Sequence, residues 1–220
     1  MSKARKTLNV DEFLVRAGVA ITNAANTPEI RAALAQYGYT AAQFQQGATL
    51  LAQAQARHAA QKQEYGEQYQ ATATLVAAQE QADAGYAIQR RLAALAFKKD
   101  PQRLHALGLD QPARRSFSGW LGQATIFYAN VIGDAGARTA LIRFNVTPEA
   151  LAQGQTLVQR VVELNAAQEK EKYEAQQATQ TRDAAVDELD EWLSELRTVA
   201  EIALAAHPQQ LEALQFGAIP

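Results

Sequence analysis

The sequence predicts an all-α protein assembled from two tandem copies of one helical unit, and three observations carry that prediction. Shifting the 220-residue chain against itself by 107 positions aligns Phe13 through Gly108 with Trp120 through Gln215 without a gap, the signature of an internal repeat. Between Gly154 and Pro208 there is neither glycine nor proline, so nothing interrupts a helix there. The alternating apolar and polar runs that mark strands are missing throughout.

The self-match is dense. It pairs Asn23 with Asn130, Arg31 with Arg138, Thr40 with Thr147, Arg90 with Arg197 and Pro101 with Pro208, and it repeats "QG-TL" from Gln46 and from Gln153. About a third of the aligned positions from Tyr37 onward are identical, far above the several per cent that chance gives. The boundaries that follow are an N-terminal extension at 1–12, a first repeat at 13–109, a linker at 110–119 and a second repeat at 120–217, together forming one structural domain.

Each element has a local reason. The first helix of each copy is expected near Asp11 to Ala24 and near Ser118 to Val131, with "FSGW" capping the second. Thr27 before Pro28 and Glu29 reads as an N-cap followed by proline at the first helical position and an acid in the first turn. "GDAGAR" from Gly133 to Arg138 lacks the lysine and hydroxyl of a phosphate loop and reads as the turn opening a short helix. The long helices begin at Thr40, whose spacing to Gln43 suits a capping box, and at Thr147 before Pro148. Asp100 and His207, each before a proline, start the last short helices, which Gly108 or Gly217 closes in a left-handed C-cap.

Along the second long segment, Leu157, Val161, Leu164, Ala175, Ala178, Ala185, Leu189, Trp192, Leu196, Val199 and Ala203 follow the alternating three-four spacing of a coiled-coil seam. Gln168, Glu171 and Arg182 interrupt it, as Gln61, Glu64 and Gln68 do in the first copy. Either one continuous helix with a polar waist or a hairpin bent at that waist satisfies this pattern, and the missing breaker favours the continuous helix. A straight helix of that span is about 80 to 90 Å long at 1.5 Å per residue. The expected architecture is an elongated helical bundle with pseudo-twofold symmetry. Its two very long helices lie antiparallel, with short helices at both ends. Matched polar residues such as Asn23 and Asn130, or Arg90 and Arg197, are expected to set register.

Composition narrows the function classes. Cysteine is absent, which excludes disulfides, a thiolate nucleophile and sulfur-ligated metal. The three histidines, His58, His105 and His207, show no Glu-x-x-His spacing and predict no metal centre. Ser116 and Ser118 have no histidine partner in a recognisable arrangement. No cofactor is expected, and no catalytic residue stands out. The longest apolar window, Trp120 to Gly133, contains Gln123 and Asn130 and falls short of a membrane span. The basic start has no apolar run after it, so a cytoplasmic chain is expected. A net charge of −2 gives no general attraction for nucleic acid.

Charge is where the copies differ. A basic set, Arg90, Arg91, Lys98, Lys99, Arg103, Arg114 and Arg115, runs from the end of the first copy into the linker. The second copy instead carries an acidic set, Asp187, Glu188, Asp190, Glu191 and Glu195, in the later half of its long segment. These are the candidate interaction surfaces. Trp120, Phe127, Tyr128 and Phe13 are expected to be core. The favoured reading is a non-enzymatic scaffold that self-associates or bridges protein partners through a basic and an acidic end. The alternatives are a helical-bundle binding protein or enzyme with a small-molecule pocket at the polar waist and a binder of anionic polymers at the basic end. Against the last stands the absence of base-stacking aromatics among these cations.

Overall fold

The computed structural model describes residues 9–216. Eight helices follow one another among them: α1 (Val10–Asn26), α2 (Pro28–Ala35), α3 (Ala41–Ala96), α4 (Pro101–Ala106), α5 (Phe117–Gly133), α6 (Ala135–Ile142), α7 (Pro148–Ala203) and α8 (Pro208–Ala213). Helices take up 84% of the described residues, which contain no strand. Among these residues no helix is long and apolar enough to cross a membrane. Both long helices are continuous over 56 residues, so neither is broken into a hairpin at the polar waist.

The helix boundaries recur at a fixed interval. α1 spans 10–26 and α5 117–133, α2 28–35 and α6 135–142, α3 41–96 and α7 148–203, α4 101–106 and α8 208–213, each pair offset by 107. The left-handed backbone positions recur in the same way: Gly38 with Asn145, and Gly108 with Gln215. Gly108 closes α4 as its sequence context predicts, while the expected cap at Gly217 lies outside the described residues.

Local chemistry explains these boundaries. Asn9 accepts a hydrogen bond from the Glu12 N–H at 2.8 Å to open α1, and Ser116, one interval later, accepts from the Gly119 N–H to open α5. Such caps satisfy N–H groups that have no partner in the first turn. Asp134 accepts from the Ala137 N–H at 2.9 Å, Asp100 from that of Arg103 at 3.0 Å, and the Thr147 hydroxyl from that of Ala150 at 3.2 Å. At Thr40 the first-turn bonds run instead to its carbonyl, from Gln43 and Phe44, so the expected capping box is not made.

The chain divides into two compact units, each drawing on both halves of the sequence: Met1–Gly66 with Tyr173–Pro220, here the α1 unit, and Glu67–Lys172, the α5 unit. In the α1 unit, α1, α2 and the beginning of α3 enclose a core with the end of α7 and α8. Phe13, Ile21, Ile30 and Leu34 meet Leu189, Trp192, Leu196, Leu204 and Leu214 there. In the α5 unit, Tyr86 of α3 is ringed by Trp120, Phe127 and Tyr128 of α5, with centroid distances of 5.6 to 6.4 Å. Leu107, Leu141, Leu151 and Val161 complete that core. All four aromatics expected to be core are buried. Burying a side chain of that size contributes roughly 1.5 to 3 kcal/mol.

The long helices pack together along heptad seams. In the α5 unit they run antiparallel: Gln89 of α3 donates to the Ala150 carbonyl, and Gln168 of α7 donates to the Thr72 hydroxyl at 3.2 Å. Gln168 is buried, and this bond explains how an amide replaces leucine on the seam without leaving its nitrogen unpaired.

Candidate interaction surfaces

The basic and acidic sets fall on different units. All seven basic candidates belong to the α5 unit, and all five acidic candidates to the α1 unit. The α5 unit carries 12 basic and 10 acidic residues, net +2, and the α1 unit 9 and 13, net −4, together the chain's −2.

The basic face is built around the linker after α4. Arg90 of α3 donates to the Gln111 carbonyl. Gln123 of α5 donates to the Pro112 carbonyl at 3.0 Å and accepts from the Arg114 N–H at 2.8 Å. Two side chains from two helices thus tie down a segment that has no regular structure of its own. Gly119 adds to this, since a Cβ at that position would lie 2.8 Å from Arg114 Cδ and 2.9 Å from its Cβ. Only a residue without a side chain lets Arg114 lie across the first turn of α5.

Between α3, the linker and α5 runs a groove of about 680 Å³, lined by Arg90, Arg91, Arg114 and Arg115 against Glu80 and Asp83. Part of this charge is already engaged. Asp83 accepts from the Trp120 indole N–H at 2.7 Å, and Arg90 holds the linker. The Arg91, Arg114 and Arg115 guanidiniums remain exposed and have no carboxylate partner among the described residues. The positions equivalent to Asp83, Arg90 and Trp120 in the α1 unit are Asp190, Arg197 and Phe13. They line a slot of about 80 Å³ beside a cleft of about 420 Å³ in which Arg197 is paired with Glu201 at 2.8 Å.

Lys98 and Lys99 are exposed in the turn after α3. Arg103 is placed differently. Its guanidinium donates to Asp134 at 2.7 Å and Asp100 at 3.2 Å and lies over the Phe97 ring, so its charge is balanced within the α5 unit. The Asp134 carboxyl is held below the usual carboxylate range by the Ala137 N–H and, after it, by Arg103.

On α7, Asp187, Glu188, Glu191 and Glu195 are exposed, whereas Asp190 is buried, with 9% of its surface accessible. Asp187 with Glu191, Glu188 with Glu191, and Glu191 with Glu195 are like charges three or four residues apart, each pair costing a helix roughly 0.2 to 0.5 kcal/mol. The equivalent outward stripe of α3 replaces Glu188, Glu191, Glu195, Thr198 and Ile202 by Gln81, Ala84, Ile88, Arg91 and Leu95, all exposed. Ile88 and Leu95 stand 62% and 51% accessible, large values for aliphatic side chains. This aliphatic and basic stripe, like the roles of Gln111, Gly119 and Gln123, escaped the sequence reading. Of these, only Gly119 had a signal in the sequence, the "SGW" at 118–120.

No protein family, curated protein or solved structure matches the chain.

Proposed function

We propose that this chain is a non-enzymatic interaction protein that associates with further copies of itself, the basic face of the α5 unit on one molecule meeting the acidic stripe of the α1 unit on another. The observation that carries this reading is the segregation of exposed charge, Arg91, Lys98, Lys99, Arg114 and Arg115 on one unit and Asp187, Glu188, Glu191 and Glu195 on the other. Two different patches meeting in this way form a heterologous contact, which closes into a ring or continues as a filament. Opposite charges steer the encounter and fix its partner.

The same reading takes the chain as a duplication with pseudo-twofold symmetry, its repeats at 13–109 and 120–217. The constant offset of helix boundaries supports it. So do two matched hydrogen bonds: Asn23 of the first repeat donates to the Ala213 carbonyl of the second, and Asn130 of the second donates to the Ala106 carbonyl of the first. In this view duplication supplied two similar faces, and divergence gave them opposite charge.

The test is absolute mass by light scattering after size exclusion, with small-angle X-ray scattering, at low and high salt over a wide concentration range. Discrete rings or open polymers that shrink as salt rises are expected. A chain that stays monomeric at every concentration and ionic strength overturns the reading.

A further inference from the structure

We propose that the arginine groove of the α5 unit is the seat for the acidic stripe of a second copy, with Glu188, Glu191 and Glu195 entering beside Arg91, Arg114 and Arg115. This rests on the self-association reading and names its site. Three arguments lead to the groove rather than to the basic face at large. First, it is concave and of a volume typical of binding sites, whereas Lys98 and Lys99 stand on an open turn. Second, its cations are arginines, whose planar guanidinium donates two parallel hydrogen bonds to one carboxylate. Third, the linker that carries Arg114 and Arg115 is fixed by Arg90, Gln123 and the close approach at Gly119. An ordered linker leaves less freedom to be lost on binding.

The choice of a second copy over other acidic partners follows from the stripe itself. Glu188, Glu191 and Glu195 share one helix face over about 10 Å, at 1.5 Å per residue, so a row of three carboxylates is presented by a rigid element. Their mutual repulsion is relieved when guanidiniums come between them. The groove in turn has three guanidiniums that no carboxylate among the described residues pairs, although Glu80 and Asp83 also line it. Its counterpart in the α1 unit cannot serve as an equal seat: Arg197 is already paired with Glu201, and the position matching Arg91 is Thr198. A contact that uses one groove and one stripe per molecule is head to tail.

The experiment mixes two full-length variants. One neutralises the groove (R91Q, R114Q, R115Q), and the other neutralises the stripe (E188Q, E191Q, E195Q), each with its helicity checked by circular dichroism. Each variant alone is expected to self-associate at least about tenfold more weakly than the unaltered chain. Mixed, they have one intact groove and one intact stripe between them, so they form a 1:1 complex that grows no further. If the groove variant associates as the unaltered chain does while the stripe variant does not, the groove is overturned and the self-association reading survives. If both associate unchanged, charge pairing through either surface is overturned. Two variants that stay folded and monomeric both alone and mixed also overturn the pairing. If the groove variant instead loses only binding to inorganic polyphosphate, with its self-association intact, the site belongs to an anionic polymer and the proposal fails.

Discussion

Gly47 of α3 lies flush against the indole of Trp192, so closely that a Cβ would overlap the ring; Gly154, one interval along the chain, stands in the same way against the Tyr128 phenol. Glycine inside a helix costs roughly 1 kcal/mol relative to alanine, and both long helices bear that cost to let a large aromatic pack onto bare backbone. Forcing a methyl against a buried ring costs typically 1 to 3 kcal/mol, which outweighs the helix gain. G47A and G154A are therefore expected to lose up to about 2 kcal/mol in urea unfolding. Gly66 and Gly85 have nothing within 4 Å of a Cβ, so G66A and G85A should each gain about 0.5 to 1 kcal/mol. Equal effects at all four positions would remove the packing argument.

Tyr128 offers a pH-dependent test in the alkaline range. Burial pushes its hydroxyl from the ordinary 10.0 up to about 12, with a smaller contribution from Tyr86, and the oxygen is buried without a hydrogen-bond partner. Because the folded value is the higher one, the stabilisation is complete below pH 10 and is lost as pH rises toward 12. At 1.36 kcal/mol per unit the loss is on the order of 2 kcal/mol. Y128F should be neutral or slightly more stable at pH 7, because it deletes an unsatisfied polar atom. It should also show a shallower decline of stability between pH 10 and 12. A variant with an unchanged alkaline slope would show that other groups set it.

Much of the fold was legible because its determinants are local. Pro28, Pro101, Pro148 and Pro208 mark helix starts by ring geometry alone, and Asp100 and Thr147 cap them through neighbouring N–H groups. The seam from Leu157 to Ala203 was readable as a period. The pairing of the helix halves was not, because a heptad states that a helix has a partner without naming it. Nor does charge in a sequence reveal burial: Asp190 reads like Glu191, and Arg103 like Arg91, until the neighbours that cover or neutralise them are in place. The linker is the clearest case, since Gln111 and Gln123 are nine or more residues from the groups they bond and carry no motif.

Arg103 and Asp134 give the acid-side counterpart. Asp134 caps α6 and binds Arg103 at once, and its lowered pKa means that the carboxylate stabilises the fold above the unfolded value near 3.9. That contribution disappears as pH falls through the folded value. D134A is expected to cost about 1 to 2 kcal/mol at pH 7 and to converge on the unaltered chain as pH falls through the folded value. D134N, which keeps a capping oxygen, should lose less. R103Q should lower stability while leaving salt-dependent association unchanged, since its charge is spent within the α5 unit; a loss of association would return Arg103 to the interaction surface.

Cutting the chain in the linker tests how the units are built. The core of the α1 unit takes Phe13, Ile21, Ile30 and Leu34 from before the linker and Leu189, Trp192, Leu196 and Leu214 from after it. The core of the α5 unit takes Leu75, Tyr86 and Phe97 from before and Trp120, Phe127 and Tyr128 from after. Neither core closes from one half alone. The Asn23 amide ends α8 by bonding the carbonyl of its last residue, and Asn130 does the same for α4, so even the helix ends are completed from the other half. Residues 1–112 and 113–220 expressed as separate chains should copurify as a 1:1 complex that withstands 1 M salt, because apolar cores rather than surface charges hold it together. N23A and N130A should each weaken that complex by about 1 kcal/mol. Halves that elute apart, each folded and monomeric, would show that each half carries a core of its own.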